Sequence, residues 1–431
     1  MKVASVVAAV VASSSASSVF RSSAGYPQAA APRVAAHPLV GYWHNFKNPS
    51  GDTYPLSQIG ASWDVINIAF AENAGEGKVG FTLDPKAGSE AQFIADIAAL
   101  KAQGKTVALS LGGQDGYVSL GNAAETANFV SSVTALLTKY GFDGIDVDLE
   151  SGVSAGLPII QNLVTGVKQI AHNIGPSFYL SMAPEHPYVQ GGAGAYGSIW
   201  GSYLPIIDGL RNELTQIHVQ YYNNAGFVYP DGRQLKEGTV DCLVGGSLML
   251  IEGFKTNYGK GWEFKGLRPD QVSFGVPSGP KSAGQGFVTA DVVSRSLTCL
   301  TKGVGCDTIS PKQPYPSYRG VMTWSINWDR FDGYAFSNAA RQALDSLGGN
   351  VPPPPPPPPT SATPTTTKSP VPTPPGPTDI PVTTKSPVTT PPPSPSCGTC
   401  TNCYYAPTQA CYNGWTVAQC NSMAALTWCG N

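Results

Sequence analysis

Residues 37–347 predict an α/β fold, a closed (β/α)8 barrel of the TIM type, because short apolar segments alternate there with amphipathic segments. The eight candidate strands span residues 39–43, 65–70, 106–110, 144–148, 179–183, 216–220, 272–276 and 320–324. A doubly wound open sheet is the alternative, but no glycine-rich dinucleotide-binding turn follows the first candidate strand. The sequence therefore favours the barrel.

The segments between the strands have the periodicity of amphipathic helices. In two of them apolar residues recur three and four positions apart, which places them on one helical face. One face comprises Phe93, Ile94, Ile97 and Leu100, and the other comprises Phe129, Val130, Val133, Leu136, Leu137 and Tyr140. Such faces are expected to cover the outside of the barrel.

The fourth candidate strand contains Asp146 and Asp148 and is followed by Glu150. We call these three acidic residues at alternate positions the acid ladder. Successive strand residues point to opposite faces, so the three share one face, whereas Asp143 has the opposite parity and is expected to be structural. Burying three carboxylates together costs folding free energy through desolvation and repulsion. A solvated acidic edge strand is the alternative, but the flanking apolar residues argue against it. Because active sites of such barrels lie at the carboxyl ends of the strands, the acid ladder predicts a catalytic site there.

Composition and charge exclude several function classes. The chain of 431 residues has a net charge near −2, 13% charged residues and no Lys/Arg cluster, so no nucleic acid or anionic membrane partner is expected. Residues 1–16 resemble a secretory signal peptide, whose apolar run is too short to span a bilayer. We therefore expect a secreted monomer, extracellular or associated with a cell wall.

The C-terminal part of the chain predicts two further regions. Residues 351–396 are rich in Pro, Thr and Ser, which favours a disordered but semi-rigid linker. Residues 397–431 then predict a small module held by up to three disulfides, with zinc binding by the closely spaced cysteines as the alternative. Its six cysteines are Cys397, Cys400, Cys403, Cys411, Cys420 and Cys429.

Three cysteines lie within the predicted barrel. Cys299 and Cys306 are near enough in sequence to close a short loop as a disulfide, which would leave Cys242 as a buried free thiol.

The acid ladder and several other segments resemble glycoside hydrolase family 18, the chitinases and their relatives. The ladder lies in the signature Asp143-x-x-Asp146-x-Asp148-x-Glu150, and segments of the third, fifth, sixth and eighth strands agree in order. These segments are Ser110-Leu111-Gly112-Gly113, Ser181-Met182-Ala183-Pro184-Glu185, Gln220-Tyr221-Tyr222-Asn223 and Met322-Thr323-Trp324-Ser325. Ser110, Gly112 and Gly113 are expected to pack beside the acids without taking part in the chemistry.

The resemblance implies a role for each acid. Glu150 would be the general acid and then the base for water, and an ionised Asp148 would keep it protonated by raising its pKa. The family is an exception among glycosidases because the substrate's own 2-acetamido oxygen attacks the anomeric carbon, with retention of configuration. Asp148 would orient that acetamido group, and Asp146 would share a proton with Asp148.

The resemblance also implies substrate contacts and the absence of a cofactor. Tyr222 would donate its hydroxyl to the acetamido oxygen, and Trp324 would form the floor of a sugar subsite. Further substrate contacts are expected from Gln220, Met182 and Asn223. The mechanism needs no cofactor and no metal; binding of Mg²⁺ or Ca²⁺ is the alternative, but the acids lie on one strand without a wrapping loop.

The expected function is an endo-acting chitinase whose partners are chitin and N-acetylglucosamine oligosaccharides. Only about 40 residues separate the seventh and eighth strands, which favours an open groove and internal cleavage. The aromatic residues of the C-terminal module predict sugar stacking, so the module would tether the enzyme to an insoluble polymer. The alternatives are an endo-β-N-acetylglucosaminidase acting on N-glycans and a non-catalytic chitin-binding lectin.

Overall fold

The structure is a computed structural model that describes residues 34–348, except residues 115, 196 and 258–261. Within the C-terminal part it describes residues 397, 401, 403–405, 410–412, 417 and 427–429. The predicted signal peptide and linker lie outside the described residues.

Eight parallel strands close into a barrel, which confirms the predicted fold. The strands are β1 (Leu39–His44), β2 (Val65–Asn73), β3 (Thr106–Gly113), β4 (Gly144–Leu149), β5 (Tyr179–Met182), β6 (Gln216–Gln220), β7 (Val272–Pro277) and β8 (Gly320–Trp324). Each strand pairs in parallel with the next, and β1 pairs with both β2 and β8, so the sheet has no free edge within the barrel. All eight candidate strands are present.

Helices connect the strands on the outside of the barrel. They are α1 (Glu90–Ala102), α2 (Ala123–Tyr140), α3 (Ile159–Ile174), α4 (Leu204–Gly209), α5 (Val240–Glu252), α6 (Ala290–Lys302), α7 (Ile326–Phe331) and α8 (Ala335–Asp345). The β1–β2 connection contains only the 3-10 turn Leu56–Gln58, and two helices follow β8. None of the described helices combines the length and the apolar character needed to cross a membrane.

The connections between the barrel strands also contain shorter elements. The other 3-10 turns among the described residues are Pro85–Ala87, His186–Tyr188, Gln190–Ala193 and Pro269–Gln271. The short antiparallel pairs are Gly226–Val228 with Gln234–Lys236 and Phe254–Lys255 with Glu263–Phe264, and Val79–Gly80 pairs with the end of β2.

The ends of the helices follow from local sequence. Helix α2 begins after Asn122, whose side chain accepts a hydrogen bond from the Glu125 N–H, and it ends at Gly141 with φ of 76°. A left-handed residue at this position favours glycine, which lacks the Cβ that would clash there. The apolar faces predicted for α1 and α2 pack on the barrel, with Ile94 and Leu136 only partly buried.

The core has two layers separated by the barrel wall. The larger layer lies between strands and helices and includes Ile145, Val147 and Leu149 of β4. The smaller layer fills the barrel interior and includes Tyr42, Ala108 and Tyr179. Because residues alternate along β4, its apolar residues face the helices and its acids face the interior.

The cysteines of the barrel pair as the sequence predicts. Cys299 and Cys306 form a disulfide, and Cys242 is buried and free. In the C-terminal part, Cys397 is bonded to Cys429, and the strands Cys403–Tyr405, Ala410–Tyr412 and Thr427–Trp428 form an antiparallel sheet. The sugar-binding role of this module stays a prediction.

Candidate active site

The acid ladder runs along β4 from the barrel interior to its carboxyl end. Asp146 is fully buried, Asp148 is 3% exposed, and Glu150 follows the strand and lines an open cleft. Asp143 contacts none of these three acids. Its carboxylate pairs with Lys101 at 2.9 Å and accepts a hydrogen bond from the Val107 N–H. Asp143 is therefore structural, as its strand parity predicts.

Asp146 is surrounded by hydrogen-bond donors from four other strands. Its carboxylate oxygens accept from the hydroxyls of Tyr42 (2.8 Å), Ser110 (2.7 Å) and Ser181 (2.6 Å). The Nε2 atom of His218 lies 3.3 Å from Oδ1. Burial acts to raise the pKa of Asp146, but His218 first, and then the hydroxyls of Ser181 and Ser110, outweigh it and hold the pKa below its ordinary value. These contacts favour the ionised form of Asp146.

Asp148 has the opposite electrostatic environment. Burial is the main cause that raises its pKa well above the ordinary value, and repulsion from Glu150 and Asp146 adds to the effect. A raised pKa favours the protonated form of Asp148 in the free protein. This direction is opposite to the ionised Asp148 expected beside Glu150, because the barrel interior desolvates the Asp148 carboxyl group.

Gln220 connects the two upper acids. Its side-chain Nε2 lies 2.9 Å from Asp148 Oδ1, 3.0 Å from Glu150 Oε1 and 2.8 Å from the carbonyl oxygen of Ala183. A backbone carbonyl only accepts, which fixes the orientation of the amide with its nitrogen toward all three oxygens. Gln220 thereby holds the Asp148 and Glu150 carboxyl groups side by side.

Tyr222 lies beyond the end of β6, close to the upper acids. It is 6% exposed and lines the cleft; burial first, and then the charges of Glu150 and Asp148, raise the pKa of its hydroxyl well above the ordinary value. Gly286, at φ of 86°, packs so closely that a Cβ there would lie 2.6 Å from Tyr222 Cα. Tyr222 is therefore a neutral hydroxyl donor held by a close backbone contact.

Trp324 ends β8 and lies on a cluster of aromatic rings. Its ring is 5.8 Å from that of Phe70, nearly parallel at 12°, and 4.6 Å from the ring of His44. His44 also stacks on Phe46 at 4.7 Å, and burial lowers its pKa to about 3, so the ring is neutral. The cluster presents Trp324 to the cleft as a flat apolar surface.

The cleft has a volume of about 720 Å³ and collects most of the predicted site residues. Glu150, Gln220, Tyr222, Asn223 and Trp324 all line it. Asn223 is exposed at the rim, where its Oδ1 accepts the Gly284 N–H at 2.8 Å. The cleft is also lined by polar residues that follow β1 or lie at and after the end of β2. They include Asn45, Asn48, Glu72, Asn73 and Thr82.

The structure does not bring Met182 to this cleft. Its side chain is fully buried in the layer between strands and helices, with Leu180 and Ile217. The neighbouring residue Ser181 reaches Asp146 in the barrel interior. Since alternate strand residues face opposite ways, the substrate contact predicted for Met182 does not fit its position.

Sequence reasoning missed the donors around Asp146. Tyr42, Ser181 and His218 were not assigned to the site, and Ser110 was expected only to pack, whereas its hydroxyl donates to Asp146. The available signal is strand parity, because each of these residues lies on the inward face of its strand. Strand parity alone does not predict which inward-facing residues lie at the same height along the barrel axis as Asp146.

A second buried polar network ties the loops after β5 and β6. Glu237 Oε1 lies 2.9 Å from His186 Nε2 and accepts the backbone N–H of Asn224 at 2.8 Å. The side chain of Asn224 donates to Glu185 at 2.6 Å and to the Tyr222 carbonyl at 3.2 Å. This network fixes the backbone that carries Tyr222.

The arrangement suits proton transfer more than cation binding. Both oxygens of Asp146 are taken by protein donors, and the described part of the chain contains no group of three or more His, Cys, Asp or Glu that could hold a metal ion. The site offers a carboxyl group in the cleft, a neighbouring proton reservoir, a hydroxyl donor and an aromatic floor. Such a set can protonate a leaving oxygen and stabilise a developing positive charge.

Comparison with known proteins gives one consistent result. Residues 38–236 match the family described as glycosyl hydrolases family 18. The chain is 42% identical over 323 residues to chitinase Chi52 of Paenibacillus xylanexedens, covering 72% of this chain and 62% of the relative. It is 39% identical over 321 residues to a probable class II chitinase of Arthroderma benhamiae, covering 68% of this chain and 95% of the relative.

Among solved structures, a family GH18 chitinase from Chromobacterium violaceum is 62% identical with a TM-score of 0.72, over 73% of this chain and 85% of that one. A structure described as a putative chitinase A from Streptomyces coelicolor is 33% identical with a TM-score of 0.62, over 72% and 99%. The chain spans 62% of the length of Chi52, and likewise of chitinase D of Niallia circulans.

Proposed function

Because the chain belongs to glycosyl hydrolases family 18, we propose that it is a hydrolase that cleaves the β-1,4 linkages between N-acetylglucosamine units of chitin. One observation carries the proposal. The Gln220 amide holds Glu150, which lines the cleft, beside Asp148, which carries a raised pKa within the barrel. A proton donor in the cleft therefore stands next to a buried pair of aspartates, as substrate-assisted cleavage requires.

In the first step Glu150 gives its proton to the glycosidic oxygen, and the bond from that oxygen to the anomeric carbon breaks. The acetamido oxygen of the same sugar forms a bond to the anomeric carbon from the opposite face, giving an oxazolinium-like intermediate. Water then attacks the anomeric carbon and transfers a proton to Glu150, which restores the carboxyl group. Two inversions give net retention of configuration.

The aspartates supply the charge that this intermediate needs. Asp146 and Asp148 together hold one proton, so the pair carries one net negative charge beneath the sugar. Asp148 is the nearer of the two to Glu150, since Gln220 contacts both. It accepts the acetamido N–H while the shared proton moves to Asp146, and the pair thereby stabilises the positive ring.

Tyr222 and Trp324 orient the sugar. The neutral Tyr222 hydroxyl donates to the acetamido oxygen, which favours the geometry of attack. The indole of Trp324 stacks on the apolar face of the ring, supported from below by His44 and Phe70. Together these contacts impose a requirement for an N-acetyl group at the cleaved sugar.

An open cleft favours cleavage within the polymer. The connection from β7 to β8 contains α6 and no additional domain that would roof the site. We propose that the protein is secreted, that it acts as an endo-enzyme, and that residues 397–431 bind chitin beyond a Pro/Thr-rich linker.

Deleting residues 397–431 is then expected to reduce activity on insoluble chitin far more than on soluble oligomers, because tethering raises the local concentration only on a solid substrate. Equal losses on both substrates would disprove the tethering role.

The catalytic assignment is tested by Glu150→Gln. This variant keeps the shape of the side chain and a partner for Gln220 but has no transferable proton, so kcat on chitin oligosaccharides should fall by roughly 10²–10⁴-fold while oligosaccharide binding persists. Glu72→Gln, which removes an exposed carboxyl from the rim of the same cleft, is the matched control and should retain turnover within a few-fold. Substantial turnover by Glu150→Gln would overturn the assignment.

The substrate class is tested by product analysis. Chitin oligosaccharides and a high-mannose glycopeptide are offered side by side, and the anomer formed first is identified by proton NMR. We expect cleavage of the chitin oligosaccharides with initial β-anomers. Cleavage of the glycopeptide alone would indicate an endo-β-N-acetylglucosaminidase, and binding without turnover would indicate a lectin.

A further inference from the structure

His218 is a fully buried histidine of β6 that faces the barrel interior. Its Nε2 atom lies 3.3 Å from Asp146 Oδ1 and 3.3 Å from the Tyr42 hydroxyl. It precedes Gln220 by two residues on the same strand, so both side chains point inward. One strand thus contacts the whole acid ladder, with His218 at Asp146 and Gln220 at Asp148 and Glu150.

The proton on His218 can be located from its contacts. An ionised carboxylate only accepts hydrogen bonds, and the Tyr42 hydroxyl donates its own hydrogen to Asp146 Oδ2. The Nε2 atom must therefore carry a hydrogen in either protonation state of the ring. The other ring nitrogen, Nδ1, is buried and meets no partner among the described residues. His218 can therefore donate to Asp146 Oδ1 directly or to the Tyr42 hydroxyl that itself donates to Asp146, since both oxygens lie 3.3 Å from Nε2.

We propose that His218 is a positioning residue that holds Asp146 as the anion and thereby leaves the shared proton on Asp148. This inference rests on the proposed function, because the location of that proton matters only if the aspartates serve the acetamido group. Tyr42, Ser110 and Ser181 hold Asp146 through neutral hydroxyls. His218 adds the one imidazole donor of the described set, on the strand that also orients the other two acids.

Two kinds of titratable group surround Asp146. The phenols have a raised pKa and stay neutral, so Asp148 and His218 are the neighbouring groups that can differ in charge. The groups close enough to interact with Asp146 are Tyr42, Asp148, Tyr179, Tyr203, His218 and Tyr222. Without the His218 donor the anion at Asp146 is less stable, so the aspartate pair ionises at a higher pH.

The test compares His218→Phe and His218→Met, which lack a donor, with His218→Gln, which can place an amide N–H near the position of Nε2. We expect the acidic limb of the kcat/KM profile on chitin oligosaccharides to move up by about one pH unit in the first two variants and to return toward the original pH in His218→Gln. His172→Gln changes an exposed histidine of α3 and is the control, with no shift. Loss of rate without a shift of the acidic limb, or an equal shift in His218→Gln, overturns the proposal.

A second measurement keeps this test independent of turnover. The ionisation of Asp146 and Asp148 is followed by ¹³C NMR of the aspartate carboxyl carbons in Glu150→Gln protein, with and without His218→Met. The ionisation of Asp146 should move upward by about one pH unit when the donor is absent. An unchanged titration refutes the role of His218, whatever the substrate proves to be. Failure of the proposed function would appear separately, as turnover by Glu150→Gln.

Discussion

Replacing Gln220 by Leu removes the amide that joins the upper acids while keeping most of the side-chain volume. The Nε2 atom of Gln220 lies within 3.0 Å of Asp148, Glu150 and the Ala183 carbonyl. Because an amide nitrogen carries two hydrogens, at most two of these three oxygens can accept a full hydrogen bond from it at one time. Leucine donates no hydrogen bond, so it leaves the two carboxyl groups without the donor that lies between them.

The expected loss of rate follows from the strength of the hydrogen bonds that Gln220 donates. A hydrogen bond to a charged acceptor is worth about 1.5–3 kcal/mol. Removing the hydrogen bond to Glu150 should therefore lower kcat by about 10- to 100-fold if it acts mainly in the transition state. The buried Ala183 carbonyl loses a partner as well, which should cost about 1–3 kcal/mol of unfolding free energy. We therefore expect a large loss of rate with a moderate loss of stability.

The assay measures kcat and KM on a soluble chitin oligosaccharide together with urea unfolding. Gln190→Leu is the matched control, since Gln190 is also fully buried but donates to the uncharged Tyr221 hydroxyl and Gly246 carbonyl. It should lose comparable stability and keep kcat within a few-fold. The reasoning is refuted if Gln220→Leu turns over at the rate of the unmodified protein, or if both variants lose kcat equally.

Three further predictions address the site and its support. Gly286→Ala places a Cβ 2.6 Å from Tyr222 Cα and should lower the unfolding free energy by about 1–3 kcal/mol more than Gly232→Ala, which has a similar φ but no atom within 4 Å; equal melting temperatures would contradict this. The raised pKa of Asp148 contributes stability below its unfolded value of about 3.9 that is lost as pH rises through the folded pKa. Asp148→Asn should therefore gain stability relative to the unmodified protein as the pH rises above about 3.9, measured by urea unfolding. A difference in unfolding free energy that does not change with pH would exclude the effect. Glu237→Ala leaves a buried histidine and a backbone N–H without their acceptor and should cost about 1–3 kcal/mol for each group, with Glu237→Gln costing less; an unchanged urea midpoint would show that the network is not stabilising.

The fold was predictable because its signals are local. Apolar runs of strand length recur between amphipathic segments, and a closed barrel is the arrangement that buries both. Three of the eight candidate strands end in a polar residue, namely Ser110, Asp148 and Gln220, and the cleft opens at the carboxyl ends of the strands in the structure. The helix missing between β1 and β2 was not foreseen, since a 3-10 turn and loop can also cross from one strand to the next.

Met182 and His218 show why part of the site was missed. The resemblance predicted a substrate contact for Met182, but the inward position of Ser181 turns Met182 toward the helices. His218 gave no sequence signal, because a histidine inside an apolar strand is commonly a core residue. Its contact with Asp146 depends on the register of β6 relative to β4, which no local pattern specifies.

Local sequence patterns were enough to predict the barrel, the spacing of the acid ladder and its place at the end of the fourth strand, because strand parity and apolar periodicity are properties of neighbouring residues. Which groups contact the acids, and therefore the direction in which each aspartate pKa is shifted, depends on the tertiary contacts. Tyr42 reaches Asp146 across 104 residues of chain, and Asp148 is desolvated by a barrel interior that many strands build. A pKa depends on this three-dimensional environment, so the pKa values of Asp146 and Asp148 are shifted in opposite directions only in the closed barrel.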